Sequence, residues 1–163
     1  MIFVTVGTDM PFDRLISVVD HWAREEGRTD VFAQIGENGS KPGFLQFSRF
    51  LDPAEFNRRF ASASLIISHA GMGTILSALR FGKPVLVMPR RASLGEQRNE
   101  HQLATAHHLL KLGKIEVAFE ENELREKLNH LDSLAAKETI GCFASENLLL
   151  AIRSFIREKA RRS

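Results

Sequence analysis

The chain has 163 residues, of which 44% are hydrophobic and 26% charged, so it can fill the core of one domain and is not a disordered chain. Its net charge of +2 does not favour charge-driven binding of nucleic acid. A single cysteine, Cys142, excludes a disulfide framework within the chain and a cysteine-based zinc site, and it favours a reducing, cytosolic setting. We expect no secretory leader and no membrane-spanning segment, because Met1 leads directly into a short apolar run and no apolar stretch approaches ~20 residues.

Segments with the period of strands alternate along the chain with segments that have the period of helices. From Phe12 the apolar residues recur on one helical face as far as Gly27, and Asp52-Pro53 is typical of an N-cap followed by the first helical residue. The predicted strands lie at 2–6, 31–35, 45–50, 63–68, 84–88 and 115–119. The predicted helices begin at Phe12 and Pro53, follow a turn at 69–74 as far as Phe81, and occupy 103–112, 121–131 and 145–162.

This alternation, with several strands apolar on both faces, predicts an α/β fold. We expect a Rossmann-like parallel sheet with helices on both faces, formed by residues 1–163 as a single domain. Ligands of such sheets bind beyond the carboxyl ends of the strands. Two of these ends deserve priority, namely the one followed by Gly7 and Thr8 and the one followed by His69 and Gly71.

The segment SHAGMGTILSAL, residues 68–79, predicts a phosphate-binding turn. Glycines let a ligand approach the backbone, the free N–H groups at a helix start attract an anion, and Thr74 can add a hydroxyl. The alternative is an ordinary tight turn whose glycines need a positive φ. A P-loop would need glycine in place of Ser77, and the dinucleotide fingerprint would need glycine in place of Leu76, so neither motif is present.

The histidines do not form a metal-binding pattern. His69 could donate a hydrogen bond to a phosphate, more strongly if protonated, or could simply be a structural residue at a strand end. His101, His107 and His108 lack both the i, i+4 spacing and the acidic neighbours of a metal site, so we predict no metal.

The polar run GEQRNEHQ, residues 95–102, follows a strand and precedes a helix. Its simplest interpretation is a solvated helix start. The functional alternative is that Glu100, His101 and Gln102 supply a carboxylate, an imidazole and an amide to sugar hydroxyls.

Four segments, in this order, resemble the C-terminal, donor-binding domain of glycosyltransferase family 28: FVTVGT, FDRLI, SHAGMGTILSALRFGKPVLVMPR and GEQRNEHQLA. The likeness extends from Met1 to about Leu131. It is greatest to the short stand-alone subunits of that family, namely the PssE-type exopolysaccharide transferases and the catalytic subunit of the two-part N-acetylglucosaminyltransferase of N-glycan assembly.

The resemblance implies half of a two-domain GT-B transferase with a UDP-sugar as substrate and no cofactor. Carried over by position, it implies a diphosphate loop, a uracil site, contacts to the donor sugar and a glycine-containing loop facing the cleft. The diphosphate loop would be Gly71, Met72, Gly73 and Thr74, led by His69, and the uracil site would be Phe50 and Leu51. The contacts to the donor sugar would come from His101 and Gln102, and the loop facing the cleft would contain Gly7 and Thr8.

The chain departs from the family pattern at two positions. Ser77 stands where members often carry a ribose-binding glutamate, and Glu100 stands where Asp or Asn is common. The sequence therefore does not predict whether this chain binds the ribose hydroxyls. Two alternatives to a transferase subunit follow, a non-catalytic nucleotide-binding module, which Ser77 favours, and half of a UDP-sugar epimerase.

A transferase of this architecture needs a second half. The resemblance therefore implies a membrane-anchored partner that binds a lipid-linked acceptor, with this chain at the cytoplasmic membrane face. The apolar stripe of residues 145–162, which includes Leu148, Ile152 and Phe155, predicts a last helix that packs on its own sheet or docks on that partner.

Overall fold

The computed structural model describes residues 1–134, which form one parallel sheet flanked by helices. The predicted helix at 145–162 and Cys142 lie outside the described residues. The strands are β1 Ile2–Thr5, β2 Val31–Gln34, β3 Gln46–Ser48, β4 Leu65–His69, β5 Val85–Met88 and β6 Glu116–Val117. The helices are α1 Asp13–Glu25, α2 Pro53–Ser62, α3 Met72–Arg80, α4 His101–Lys111 and α5 Glu121–Asn129, with short 3-10 helices at Ala92–Leu94 and Leu131–Ser133.

The strand order of the sheet is β3-β2-β1-β4-β5-β6, and every neighbouring pair is parallel. The strands β2 and β3 are added on one side of β1, and β4, β5 and β6 are added on its other side. Ile2 pairs with both Val31 and Leu65, so β1 lies in the middle of the sheet. The fold expected from the sequence is confirmed, and β1 and β4 meet at the switch point where such sheets bind ligands.

Alternate residues of each central strand enter two separate cores. Val4 packs with α1 and α5 on one face, whereas Phe3 packs with α2, α3 and α4 on the other. Phe3 also meets Phe56 edge-on, with ring centroids 5.4 Å apart. Burial of both faces explains why these strands read as continuous apolar runs.

Local chemistry sets most of the helix ends. The Asp52 carboxylate accepts a hydrogen bond from Glu55 N at 2.9 Å, and Pro53 is the first residue of α2, as expected. Gly27 and Gly82 take positive φ values of 61° just after α1 and α3.

Most elements differ from their predicted bounds by one or two residues at an end, and the differences at α4, β3 and β6 have a clear physical reason. The helix α4 begins at His101, two residues earlier than predicted, because the buried Gln102 side chain holds that first turn against the strand ends. The predicted strand at 45–50 is only Gln46–Ser48, and the one at 115–119 is only Glu116–Val117. Both are edge strands, where pairing on one side alone limits the length of the ladder.

A buried carboxylate fixes the long connection between β2 and β3. Asp20 of α1 accepts hydrogen bonds from the backbone N–H groups of Gly43, Phe44 and Leu45, at 3.2, 2.8 and 2.9 Å. Burial on its own would raise the pKa of Asp20, but these three donors, with Arg24, lower it. The carboxylate is therefore charged at neutral pH and anchors the connection to the helix.

We expect Asp20→Ala to lower the free energy of unfolding by about 2 kcal/mol, because it removes a charged acceptor and leaves Leu45 N buried without a partner. Asp20→Asn is the matched control. It keeps an oxygen for Phe44 and Leu45 and should lose about half as much. Urea denaturation of the three proteins measures this, and equal stability of wild type and the alanine variant would contradict it.

Candidate functional site

A cavity of about 250 Å³ opens at the carboxyl ends of the strands, beside the switch point between β1 and β4. Six of the residues singled out from the sequence line it, namely Gly7, Thr8, Phe50, Leu51, Gly73 and Thr74. Ser77 also lines it. The structure therefore brings the first strand end, the end of β3 and the start of α3 to one site.

Sequence reasoning missed the polar floor of the cavity. Gln34, at the end of β2, accepts a hydrogen bond from Thr5 Oγ1 at 2.6 Å and donates to Gly7 O at 2.9 Å and Arg49 O at 3.3 Å. Gln34 thus ties together the ends of three strands. The available signal was an amide at the end of the otherwise apolar strand VFAQ.

The start of α3 presents unpaired backbone donors to the cavity. Gly71 is the N-cap and makes no side-chain capping bond, so the first-turn N–H groups of Met72, Gly73 and Thr74 have no helical partner. Gly73 and Thr74 line the cavity, whereas Met72 is 45% exposed. The arrangement suits an anion, which the helix dipole also favours.

The two glycines of this turn serve different needs. Neither has a positive φ, so the interpretation as an ordinary positive-φ turn is wrong. A Cβ at Gly71 would lie 2.2 Å from His69 Nε2, so the packed His69 ring would have to shift to admit it. A Cβ at Gly73 would meet nothing within 4 Å, so packing within the described residues does not require glycine there.

His69 is packed between the two loops and does not line the cavity. Its ring lies against Gly71 on one side and Gly7 on the other, where a Cβ would come within 2.7 Å of His69 Cε1. Burial and then the charge of Arg90 lower the pKa of His69 to about 4. The ring is neutral at pH 7, so the protonated donor considered from the sequence does not form there.

Arg90, at the end of β5, is a buried cation that sequence reasoning also missed. It is 1% exposed, and Nη2 donates to Val6 O at 2.8 Å and to Met10 O. Its guanidinium lies 5.3 Å from the centre of the Phe12 ring. From its position after β5, Arg90 therefore fixes the loop between β1 and α1 through these hydrogen bonds.

The predicted sugar-contact residues lie apart from the cavity lining. Gln102 is buried, and its Oε1 accepts from Ala70 N at 3.2 Å and Arg90 N at 3.1 Å. Glu100 accepts from Ser93 N at 3.3 Å, and His101 is exposed. Gln102 thus joins the ends of β4 and β5, and its amide oxygen is already engaged.

Glu96 shows that the polar run before α4 is more than a solvated helix start. Its carboxylate pairs with both Nε and Nη2 of Arg14 in α1, at 2.7 and 2.8 Å, and also accepts from Arg91 N at 2.9 Å. These hydrogen bonds therefore attach the polar run to α1 and to the segment after β5, at the carboxyl ends of the strands.

No metal-binding cluster appears within residues 1–134, where no three His, Cys, Asp or Glu side chains come close enough to hold an ion. His107 instead stacks on Phe119, with ring centroids 4.3 Å apart. None of the helices in this part of the chain has the length and apolar character to cross a membrane.

Comparison with known families agrees with this geometry. Residues 1–144 match the model of the glycosyltransferase family 28 C-terminal domain. The chain belongs to this family. The resemblance inferred from the sequence motifs is therefore confirmed.

Among curated proteins, this family member is similar to the UDP-N-acetylglucosamine transferase subunit ALG13 of Yarrowia lipolytica, with 29% identity over 124 residues. The match covers 68% of this chain and 61% of that protein, so the chain spans less than two thirds of its relative.

Two solved structures have the same fold. An NMR structure of ALG13 matches with a TM-score of 0.59 and 21% identity, covering 87% of this chain and 90% of that one. A Listeria monocytogenes crystal structure, described as a UDP-N-acetylglucosamine 2-epimerase, matches with a TM-score of 0.62 and 18% identity over 96% of this chain and 45% of that one. At these identities the likeness concerns the fold alone.

The buried neutral imidazole of this family member should make its stability depend on pH. The unfolded chain takes up a proton on His69 below pH 6.5, whereas the folded chain resists it until about pH 4. The stabilisation is therefore complete above pH 6.5 and decreases as the pH falls. We expect about 2 kcal/mol to be lost between pH 7 and pH 5.

Urea denaturation at both pH values, for wild type and His69→Gln, isolates this effect because the carboxylates titrate alike in both proteins. The variant should lose about 2 kcal/mol less than wild type over the same interval. Identical pH dependence in the two proteins would show that His69 protonates freely in the folded state.

Proposed function

We propose that this chain is the donor-binding subunit of a UDP-sugar-dependent glycosyltransferase. The observation that carries the proposal is the uncapped start of α3, which presents the N–H groups of Gly73 and Thr74 to a cavity walled on its other side by Phe50 and Phe56. An anion site beside an aromatic wall has the chemistry of a nucleotide diphosphate site. Membership of the family supports the same assignment.

In the proposed reaction, an acceptor hydroxyl attacks the anomeric carbon of the donor sugar. The bond from that carbon to the diphosphate oxygen breaks, a bond to the acceptor oxygen forms, and the hydroxyl proton passes to a base. The N–H groups of the first turn of α3 stabilise the charge that develops on the departing UDP. Orienting the sugar would fall to His101 and Gln102, with Glu100 before them.

The base must come from outside the cavity lining. None of the ten described residues that line it has a side chain that titrates near neutral pH, and His69 behind the loop has a pKa of about 4. A proposed second subunit, anchored in the membrane, therefore supplies the base and holds the lipid-linked acceptor. This chain would then work at the cytoplasmic membrane face, in glycan or polysaccharide biosynthesis.

The relative from Yarrowia lipolytica is named as a subunit of a UDP-N-acetylglucosamine transferase. That name favours N-acetylglucosamine as the first donor sugar to test. It also supports a heteromeric enzyme. A docking role for residues 145–162 stays a prediction, because those residues lie outside the described part of the chain.

We expect UDP to bind the isolated chain more tightly than UMP or ADP, since the site combines a diphosphate cradle with a small base site. At a hundred times its dissociation constant, UDP should stabilise the fold by about 2.7 kcal/mol. Gly73→Val should abolish this binding, because a branched side chain obstructs the approach of phosphate to the first turn. Calorimetric titration and thermal unfolding measure both effects.

Gly73→Ala is the matched control for the valine variant, because its single methyl group projects into open space. It should fold normally and bind UDP more weakly than wild type but better than the valine variant. Equal or absent binding of UDP, UMP and ADP would remove the nucleotide site, and unchanged affinity in folded Gly73→Val would remove the diphosphate position.

A non-catalytic nucleotide-binding module is the second candidate, favoured by Ser77, which leaves the site without a carboxylate for the ribose. Turnover separates the two. With its partner subunit present, the chain should release UDP from UDP-N-acetylglucosamine in an acceptor-dependent manner, and Gly73→Val should abolish this turnover because it blocks the approach of the donor diphosphate. Tight UDP binding without any turnover would favour the module.

A further inference from the structure

We infer that this site binds its nucleotide without reading the ribose hydroxyls, so that the chain accepts a 2′-deoxyribonucleoside diphosphate almost as well as the ribonucleotide. The inference rests on the proposed function and concerns the wall of the cavity formed by the first two turns of α3. It makes Ser77 the residue that sets this tolerance.

The position of the ribose follows from the two ends of the cavity. The diphosphate is assigned to the first turn of α3, at Gly73 and Thr74, and the base to the apolar wall that includes Phe50 and Phe56. The sugar between them must lie over the next turn of the helix. Ser77 lies four residues after Gly73 and three after Thr74, hence on the same helical face, and it lines the same cavity.

The polar side chains at this end of the cavity already have partners. Ser77 Oγ donates its only proton to Gly73 O at 2.8 Å. Both amide hydrogens of Gln34 go to backbone oxygens, and the Thr5 hydroxyl donates to Gln34 and accepts from Gly7 N. No carboxylate is among the described residues that line the cavity.

Two lining hydroxyls remain, and neither lies on the second turn of α3, over which the ribose is assigned. Thr8 is in the loop after β1, and Thr74 is in the first turn of α3. A vicinal diol is recognised best by a carboxylate, which accepts both protons in charge-assisted hydrogen bonds, whereas the Ser77 hydroxyl offers a single neutral oxygen and has no proton left to donate.

The ribose hydroxyls therefore stay hydrated at the mouth of the cavity, where Phe50 is 61% exposed. Removing one of them leaves no buried protein group without a partner, and only such a loss is costly. The affinity should consequently reside in the diphosphate and the base.

Calorimetric titration of the full 163-residue chain with UDP and with 2′-deoxy-UDP tests this directly. We expect dissociation constants within about threefold of each other, since a solvated hydroxyl contributes little. Ser77→Ala should leave that ratio unchanged. Ser77→Glu places a carboxylate on the same face and should raise the preference for UDP to about tenfold or more, whatever its effect on absolute affinity.

The outcomes separate the two proposals. Binding of UDP at least tenfold tighter than 2′-deoxy-UDP by the wild-type chain would overturn the inference and leave the proposed function intact. A Ser77→Glu variant that binds UDP without any gain in preference would show that the ribose does not lie over this turn, and would also overturn it. Failure of both nucleotides to bind the folded chain would overturn the proposed function together with the inference.

Discussion

The reversal of strand order between β1 and β4 is the constraint on which the site depends. The helix that follows β1 packs on one face of the sheet and the helix that follows β4 packs on the other. The two connecting loops must therefore diverge, and a crevice opens between them. The His69 ring packs between these two loops, and glycines at 7 and 71 allow both backbones to approach it.

Buried polar groups hold the loops around that crevice. Arg90 grips the loop after β1 through two carbonyl oxygens, and the amide oxygen of Gln102 joins the ends of β4 and β5. Arg90 forms no ion pair within residues 1–134, so two backbone carbonyl oxygens and the more distant charges of Asp9 and Glu96 compensate its charge. A buried cation of this kind is costly. Here it adds to the positive end of α3 at the edge where an anion is expected to bind.

Periodicity and turn chemistry were sufficient to predict the sheet, since each central strand is buried on both faces and each helix has one apolar face. The loop at Gly71–Thr74 could also be predicted, because glycines between a strand and a helix have few uses. Arg90, Gln34 and Glu96 could not, because their partners lie far away in the sequence, as in the Arg14–Glu96 pair. In the sequence alone, a polar residue at a strand end that faces solvent cannot be told from one that is buried and hydrogen-bonded to distant residues. The positive-φ interpretation of the turn failed for a related reason, since a clash with the His69 ring explains Gly71 and nothing in the sequence shows where that ring packs.

In the proposed function this site performs only the donor half of the reaction, and this would allow the two halves of the enzyme to be separate chains. Stabilising a leaving diphosphate needs only fixed dipoles, which a helix start and two loops supply without any titratable group. Activating an acceptor needs a base whose pKa lies near the working pH. The imidazole of His69 is too buried and too near the charge of Arg90 to hold a proton at neutral pH, and it packs between Gly7 and Gly71. The features that make the proposed diphosphate end rigid and positive also make His69 unsuitable for proton transfer, which is why the proposed function assigns the base to a second subunit.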